Sequence, residues 1–142
     1  MERKMRILIL CTGNSCRSQM AHGILQSLDP NMEVFSAGTK PAEKVNPKVV
    51  KVMNEIGIDI SGHIPHNVAD YTDEPWDYVI TVCGGAKETC PVFNGKVSKR
   101  IHIGFDDPSE IQGEEETVLH EFRKTRDEIK EQFTKFYNDN LR

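Results

Sequence analysis

Residues Ile7 to Leu25 read ILILCTGNSCRSQMAHGIL: an apolar run, a small polar loop bracketed by Cys11 and Cys16, then apolar residues at helical spacing. The unbroken run RILIL (6–10) fits a strand buried on both faces of a parallel sheet. Met20, Ala21, Ile24, Leu25 and Leu28 recur at three- and four-residue steps and predict a helix ending near Asp29-Pro30. Working outward, EVFSAG (33–38) predicts a second strand closed by Gly38. Asn46 as cap and Pro47 at the first helical position open a second helix, which ends at Gly57. The stretch HNVADYTDEPW (66–76) is ambiguous and leaves room for one short helix, whereas DYVITVC (77–83) predicts the third strand and KRIHIGF (99–105) the fourth. From Glu114 onward Val118, Phe122, Ile129, Phe133 and Tyr137 predict a long C-terminal helix with RKTRDEIKEQ (123–132) as its solvated face. Strands alternating with helices imply a doubly wound α/β fold, because parallel strands need crossover connections: a four-stranded parallel sheet with helices on both faces.

A chain of 142 residues is the size of one domain, so residues 1–142 are read as a single unit without a linker or repeat. With 37% hydrophobic and 28% charged residues the composition is that of a globular protein and excludes a disordered or fibrous one. The start MERKMRILIL holds only four consecutive apolar residues before Cys11, too few for a signal-peptide core or a membrane span. The expectation is a cytoplasmic protein with no membrane partner. A formal net charge of −4 argues against nucleic acid as the main partner while leaving room for a local cationic pocket. Nothing demands an oligomer, and a monomer is expected. Cys11, Cys16, Cys83 and Cys90 in a reducing compartment are core thiols, metal ligands or redox and catalytic groups rather than a disulfide framework.

In doubly wound folds ligands bind at the carboxyl edge of the strands, and CTGNSCRS (11–18) lies there, between the first strand and the first helix. Gly13 and Asn14 tolerate positive φ, so the loop from Thr12 through Gly13, Asn14, Ser15 and Cys16 can curl until its amides converge. The helix N-terminus adds its partial positive charge, and such a cradle takes a tetrahedral oxyanion. Arg17, with five residues intervening after Cys11, offers a planar fork for two oxyanion oxygens. The same field favours a thiolate, so Cys11 is expected to have a depressed pKa, a hydrogen bond from Ser18, and the role of nucleophile. The plainer alternative, a buried thiol ending a strand, leaves Gly, Asn, Ser and Arg at these spacings unexplained. A Walker-type nucleotide loop is excluded by the absence of a Gly-Lys-Ser/Thr ending.

Cys11, five residues, Arg17 and Ser18 after an N-terminal strand resemble the low-molecular-weight protein tyrosine phosphatase superfamily, and CTGNSCRSQMA especially resembles its thioredoxin-coupled arsenate reductase branch. VFSAG, NPK, GIDIS, VITVC, CP and GFDDP fall in the order of that branch, so the resemblance covers nearly the whole chain. It implies that the aspartate directly before proline, Asp107 of FDDPS, is the acid that protonates the leaving oxygen, with Asp106 as its substitute one position away. By local composition alone Asp-Asp-Pro is a turn.

CGGAKETC (83–90) discriminates between two chemistries. In the strand order 2-1-3-4 the first and third strands are neighbours, so Cys83 and Cys11 end at the same sheet edge. Gly84 and Gly85 make the following loop pliable, so Cys90 can approach Cys83 in one loop state and move outward in another. A core thiol at Cys83 with a bystander at Cys90 is the bland alternative. Zinc is disfavoured by the spacings, and no metal is expected. The resemblance implies the following course: Cys11 attacks arsenate, Cys83 attacks Cys11 as arsenite leaves, Cys90 resolves the Cys11–Cys83 disulfide, and thioredoxin reduces Cys83–Cys90. Cys11, Arg17, Ser18, Cys83, Cys90 and Asp107 are then catalytic, Thr12 to Arg17 bind the oxyanion, and Cys16 has no redox role. Phosphate or sulfate would compete, and no tightly bound cofactor is expected. A phosphatase of phosphotyrosine or small phosphoesters is the alternative, although Ser109 and Glu110 stand where such phosphatases usually carry tyrosines. A noncatalytic oxyanion-binding or redox-sensing module is a third class. Members of the branch can hold a monovalent cation beside the loop on two acidic residues, and this chain has His22 and His66 there.

Overall fold

A computed structural model describes residues 4–84 and 90–142. Strands β1 (Arg6–Cys11), β2 (Glu33–Gly38), β3 (Trp76–Thr81) and β4 (Val97–His102) form one parallel sheet in the order β2-β1-β3-β4, as expected. Among the described residues run the helices α1 (Arg17–Leu28), α2 (Pro47–Asn54) and α3 (Glu115–Asn140), with single 3-10 turns at Val68–Asp70 and Pro108–Glu110. Ile7, Leu8, Ile9 and Leu10 are wholly buried, which is why β1 reads as apolar without alternation. Asn46 caps α2 as predicted, its side chain accepting from Lys48 N at 2.9 Å with Pro47 following.

Helix α1 packs on β1 and β2, and α3 packs on α1 and α2. Phe136 of α3 meets Tyr78 edge-on at 5.2 Å, which sets α3 over the sheet face that Tyr78 shares with Ile7. On the other face Phe35, in register with Leu8, meets Tyr71 at 5.7 Å just after the turn Val68–Asp70. Helical segments therefore lie on both faces. Among the described residues no helix is long and apolar enough to cross a membrane.

Three expectations shift. Strand β4 begins at Val97 and ends at His102 rather than spanning 99–105; its edge position leaves most of its residues exposed, so its apolar pattern is weak. The buried stripe of α3 runs through Leu119, Phe122, Ile129, Phe133 and Phe136, with Val118 and Tyr137 only half-buried. Within the supposedly solvated face Arg126 is buried: Nη1 donates to Val52 O at 2.9 Å and to Glu55 Oε1 at 2.9 Å. This clamp joins α3 to the end of α2. The expected pliancy at Gly85 falls outside the described residues.

Candidate active site

All four strands run parallel, so their carboxyl ends meet at one edge, and the register sets Cys11 of β1 beside Gly38 of β2. The loop between Cys11 and α1 is tied from outside through its carbonyls. Thr39 N donates to Cys11 O at 3.3 Å, Lys40 N to Thr12 O at 2.9 Å, Ala42 N to Gly13 O at 2.9 Å and Asn46 N to Ser15 O at 2.9 Å. With its acceptors engaged on that side, the loop keeps the amides of Gly13, Asn14, Ser15 and Cys16 without a protein acceptor among the described residues. Amides held this way suit an anion.

The left-handed residue of the loop is Asn14, at φ 50°, and Gly13 does not share the positive φ. Asn14 is fully buried and anchors the turn three times. Its Nδ2 donates to Ser18 Oγ at 2.8 Å, its Oδ1 accepts from His66 N at 2.9 Å, and its carbonyl accepts from Gln19 Nε2 at 3.1 Å. The Ser18 hydroxyl thus serves the loop turn; its expected bond to Cys11 is not among the contacts of either residue. Gly38 is a requirement that sequence reading passed over. A Cβ there would fall on the Thr12 carbonyl oxygen and lie 3.0 Å from Asn14 N. The one signal in sequence is a glycine ending a strand at the site edge.

Arg17 opens α1 with its side chain directed across the site. Nη1 donates to Phe105 O at 2.9 Å, Nη2 faces Asp107 Oδ2 at 3.5 Å, and Nε is buried without a partner among the described residues. A buried donor lacking an acceptor is costly, and an oxyanion would satisfy it. Asp107 is held by Ser109, whose amide and hydroxyl donate to Oδ1 at 2.9 and 2.6 Å. Pro108 starts the 3-10 turn that fixes this geometry, whereas Asp106 is exposed. Cys16 is buried as the residue before α1, and burial together with the nearby Asp107 carboxylate pushes its thiol up to about 12.

Strand β3 ends at Thr81, and the chain stays alongside β1 through Val82 N to Leu10 O at 3.0 Å, so Cys83 arrives at Cys11. The two thiols are hydrogen-bonded, and Thr12 Oγ1 lies 3.5 Å from Cys83 Sγ. This contact corrects the expected depression of the Cys11 pKa. The hydrogen bond with Cys83 and burial raise it, outweighing Arg17 and the Thr12 amide, which lower it. Cys90 is half-buried and free of any disulfide.

The donors near His22 do not fit a hard monovalent cation, which takes oxygen ligands. His22 Nδ1 bonds Ser36 Oγ at 2.8 Å, and its ring lies 4.6 Å from that of His63, whose Nδ1 bonds Gln19 Oε1 at 2.9 Å. Burial first, then His63 and His66, lower the His22 pKa to about 3, so the ring is neutral and unsuited to replace a carboxylate. His66 serves through its backbone, with its amide on Asn14 and its carbonyl accepting from Gly38 N at 2.8 Å.

Fold and site together set a buried thiol beside a loop of unengaged amides at the carboxyl edge of a parallel sheet, and residues 6–142 match the family described as low molecular weight phosphotyrosine protein phosphatase. The chain belongs to that family. It is 45% identical over 137 residues to the arsenate reductase of Bacillus subtilis, covering 96% of each chain. Among solved structures it resembles an arsenate reductase in its phosphate-binding state, with TM-score 0.79 and 28% identity over 95% of this chain and 98% of the other. It also resembles a thioredoxin-dependent arsenate reductase from Corynebacterium glutamicum, with TM-score 0.60 and 27% identity, covering 94% of this chain and 63% of that one.

Proposed function

We propose that this protein is a cytoplasmic arsenate reductase that uses Cys11, Cys83 and Cys90 in turn and is recycled by thioredoxin. The observation that carries the reading is the hydrogen-bonded Cys11–Cys83 pair at the mouth of the loop, since phosphoester hydrolysis has no use for a second thiol there. The loop amides and Arg17 hold the oxyanion. Cys11 Sγ forms a bond to arsenic, its proton passing to the oxyanion, and Asp107 delivers a proton to the oxygen that leaves as water. Cys83 then attacks Cys11 Sγ. The sulfur–arsenic electron pair stays with arsenic, which is reduced by two electrons, and a Cys11–Cys83 disulfide forms as arsenite departs. Cys90 attacks Cys83 and releases Cys11, and the two thiols of thioredoxin reduce Cys83–Cys90. The name of the Corynebacterium relative supports thioredoxin as the donor.

The test is quenched single turnover with mass mapping of disulfides. Cys90→Ser is expected to release one equivalent of arsenite and stall as Cys11–Cys83, while Cys83→Ser releases little. Both variants should keep any slow hydrolysis of an artificial phosphoester, which asks only for Cys11, Arg17 and Asp107. Repeated turnover of Cys90→Ser at the wild-type rate would rule out the relay, and phosphoester turnover without arsenate reduction would favour the phosphatase reading.

A further inference from the structure

A cavity of about 340 Å³ lies on the β3–β4 side of the sheet edge, lined by Val79, Thr81, Cys90, Arg100, Ile101 and His102. It holds the one relay cysteine that is not at the oxyanion loop. The Arg100 guanidinium, on edge strand β4, lines this cavity together with Cys90, and its charge and hydrogen-bonding capacity act to lower the pKa of that thiol. Its carbon lies 5.2 Å from the centroid of the Phe93 ring, and Phe93 is buried. The cation is thereby given a fixed seat on an aromatic face. His102, the other ionisable group of the cavity, has its Nδ1 engaged with Thr81 Oγ1 at 2.7 Å.

We propose that Arg100 is the positioning residue of the resolving thiol, holding Cys90 at the cavity wall and favouring its thiolate for attack on Cys83. The inference rests on the three-cysteine relay proposed above. In the step concerned, Cys90 Sγ bonds to Cys83 Sγ, the Cys11–Cys83 bond breaks, and Cys11 leaves with the electron pair. One disulfide is exchanged for another with no net oxidation, and the proton given up by Cys90 is balanced by the one taken up on Cys11. A thiol in this place needs such help. Partial burial raises the Cys90 pKa, and the charge and hydrogen bond of Arg100 work against that rise. Arginine is suited to the task because it stays charged throughout the working pH range.

The experiment is single-turnover arsenate reduction by the full chain, quenched and mapped for Cys11–Cys83 and Cys83–Cys90, from pH 6 to 9. In Arg100→Gln the first disulfide and its equivalent of arsenite should form at the wild-type rate. Conversion to Cys83–Cys90 should slow about tenfold at neutral pH, with a pH–rate profile moved to the alkaline side by about one unit. Arg100→Lys should recover most of the rate. Arg100→Met, which keeps an apolar stem against Phe93, should behave like the glutamine variant, separating loss of charge from loss of packing. A wild-type rate and profile in both neutral variants would overturn the proposal, as would a profile that moves in His102→Gln instead. Cys90→Ser, run in parallel, separates the two layers: if it recycles with thioredoxin, the relay itself is wrong. If it stalls while the Arg100 variants resolve normally, the relay stands and the role of Arg100 falls.

Discussion

Arg17 Nη2 and Asp107 Oδ2 stand 3.5 Å apart, joining the start of α1 to the loop after β4 across the mouth of the oxyanion cradle. Nη1 is held by Phe105 O at 2.9 Å, so the guanidinium plane is oriented before any anion arrives, with Nε left to donate. Preorganised donors of this kind need no rearrangement at the moment charge develops.

Replacing Arg17 by lysine keeps the charge and removes the fork. Arsenate kcat/KM is expected to fall by about a hundredfold or more, because a point charge cannot contact two oxygens from one fixed plane. Steady-state arsenite production measures this, and a loss under threefold would show that two-point contact is unimportant. Asp107→Asn should slow loss of the leaving oxygen by about a hundredfold while leaving phosphate competition intact, since the acid acts on the reacting bond.

Asn14 combines a left-handed backbone with three hydrogen bonds, two of them buried. Asn14→Ala loses both side-chain bonds and adds strain; Asn14→Gly loses the bonds alone. Urea unfolding should find both variants destabilised, the alanine variant by about 1 kcal/mol more than the glycine variant. Equal stabilities would mean that φ at this position carries no cost.

Gly38→Ala tests the close approach of β2 to the loop. The added Cβ meets backbone, which has nowhere to move without breaking the bonds from residues 39–46. A stability loss of about 2 kcal/mol or more is expected, together with weaker phosphate binding by calorimetry. An unchanged affinity would mean that the loop does not depend on this contact.

His22 makes stability depend on acidity. Its pKa is about 3 in the folded chain against an ordinary value of 6.5, so between these limits the unfolded chain binds more protons. Stability is therefore fully present above pH 6.5 and declines as pH falls, by about 1.4 kcal/mol per unit for one such group. His63, whose pKa is also lowered by burial, adds to the slope. Urea unfolding at pH 7, 6 and 5 should give His22→Gln a shallower dependence than the wild type, and parallel curves would contradict the assignment.

Much of this arrangement is written locally. The apolar run of β1, the helical spacing after Arg17, the Asn46-Pro47 start of α2 and the spacing from Cys11 to Arg17 depend on neighbours in sequence, so they identify the elements and locate the loop. The signs and partners of the site do not. Cys11 and Cys83 come together only because β1 and β3 pair in register, and that contact reverses the direction of the Cys11 pKa expected from Arg17 alone. Ser18 answers to Asn14 because the loop's left-handed turn brings Asn14 Nδ2 to the hydroxyl. Gly38 looks like an ordinary strand end until β2 is docked against Thr12, and Arg126 looks solvated until α3 meets Val52 and Glu55 of the α2 end. Periodicity and propensity are properties of a short stretch of chain. Desolvation, hydrogen-bond partners and the field at a thiol are sums over groups distant in sequence, and only the packed tertiary structure sets them.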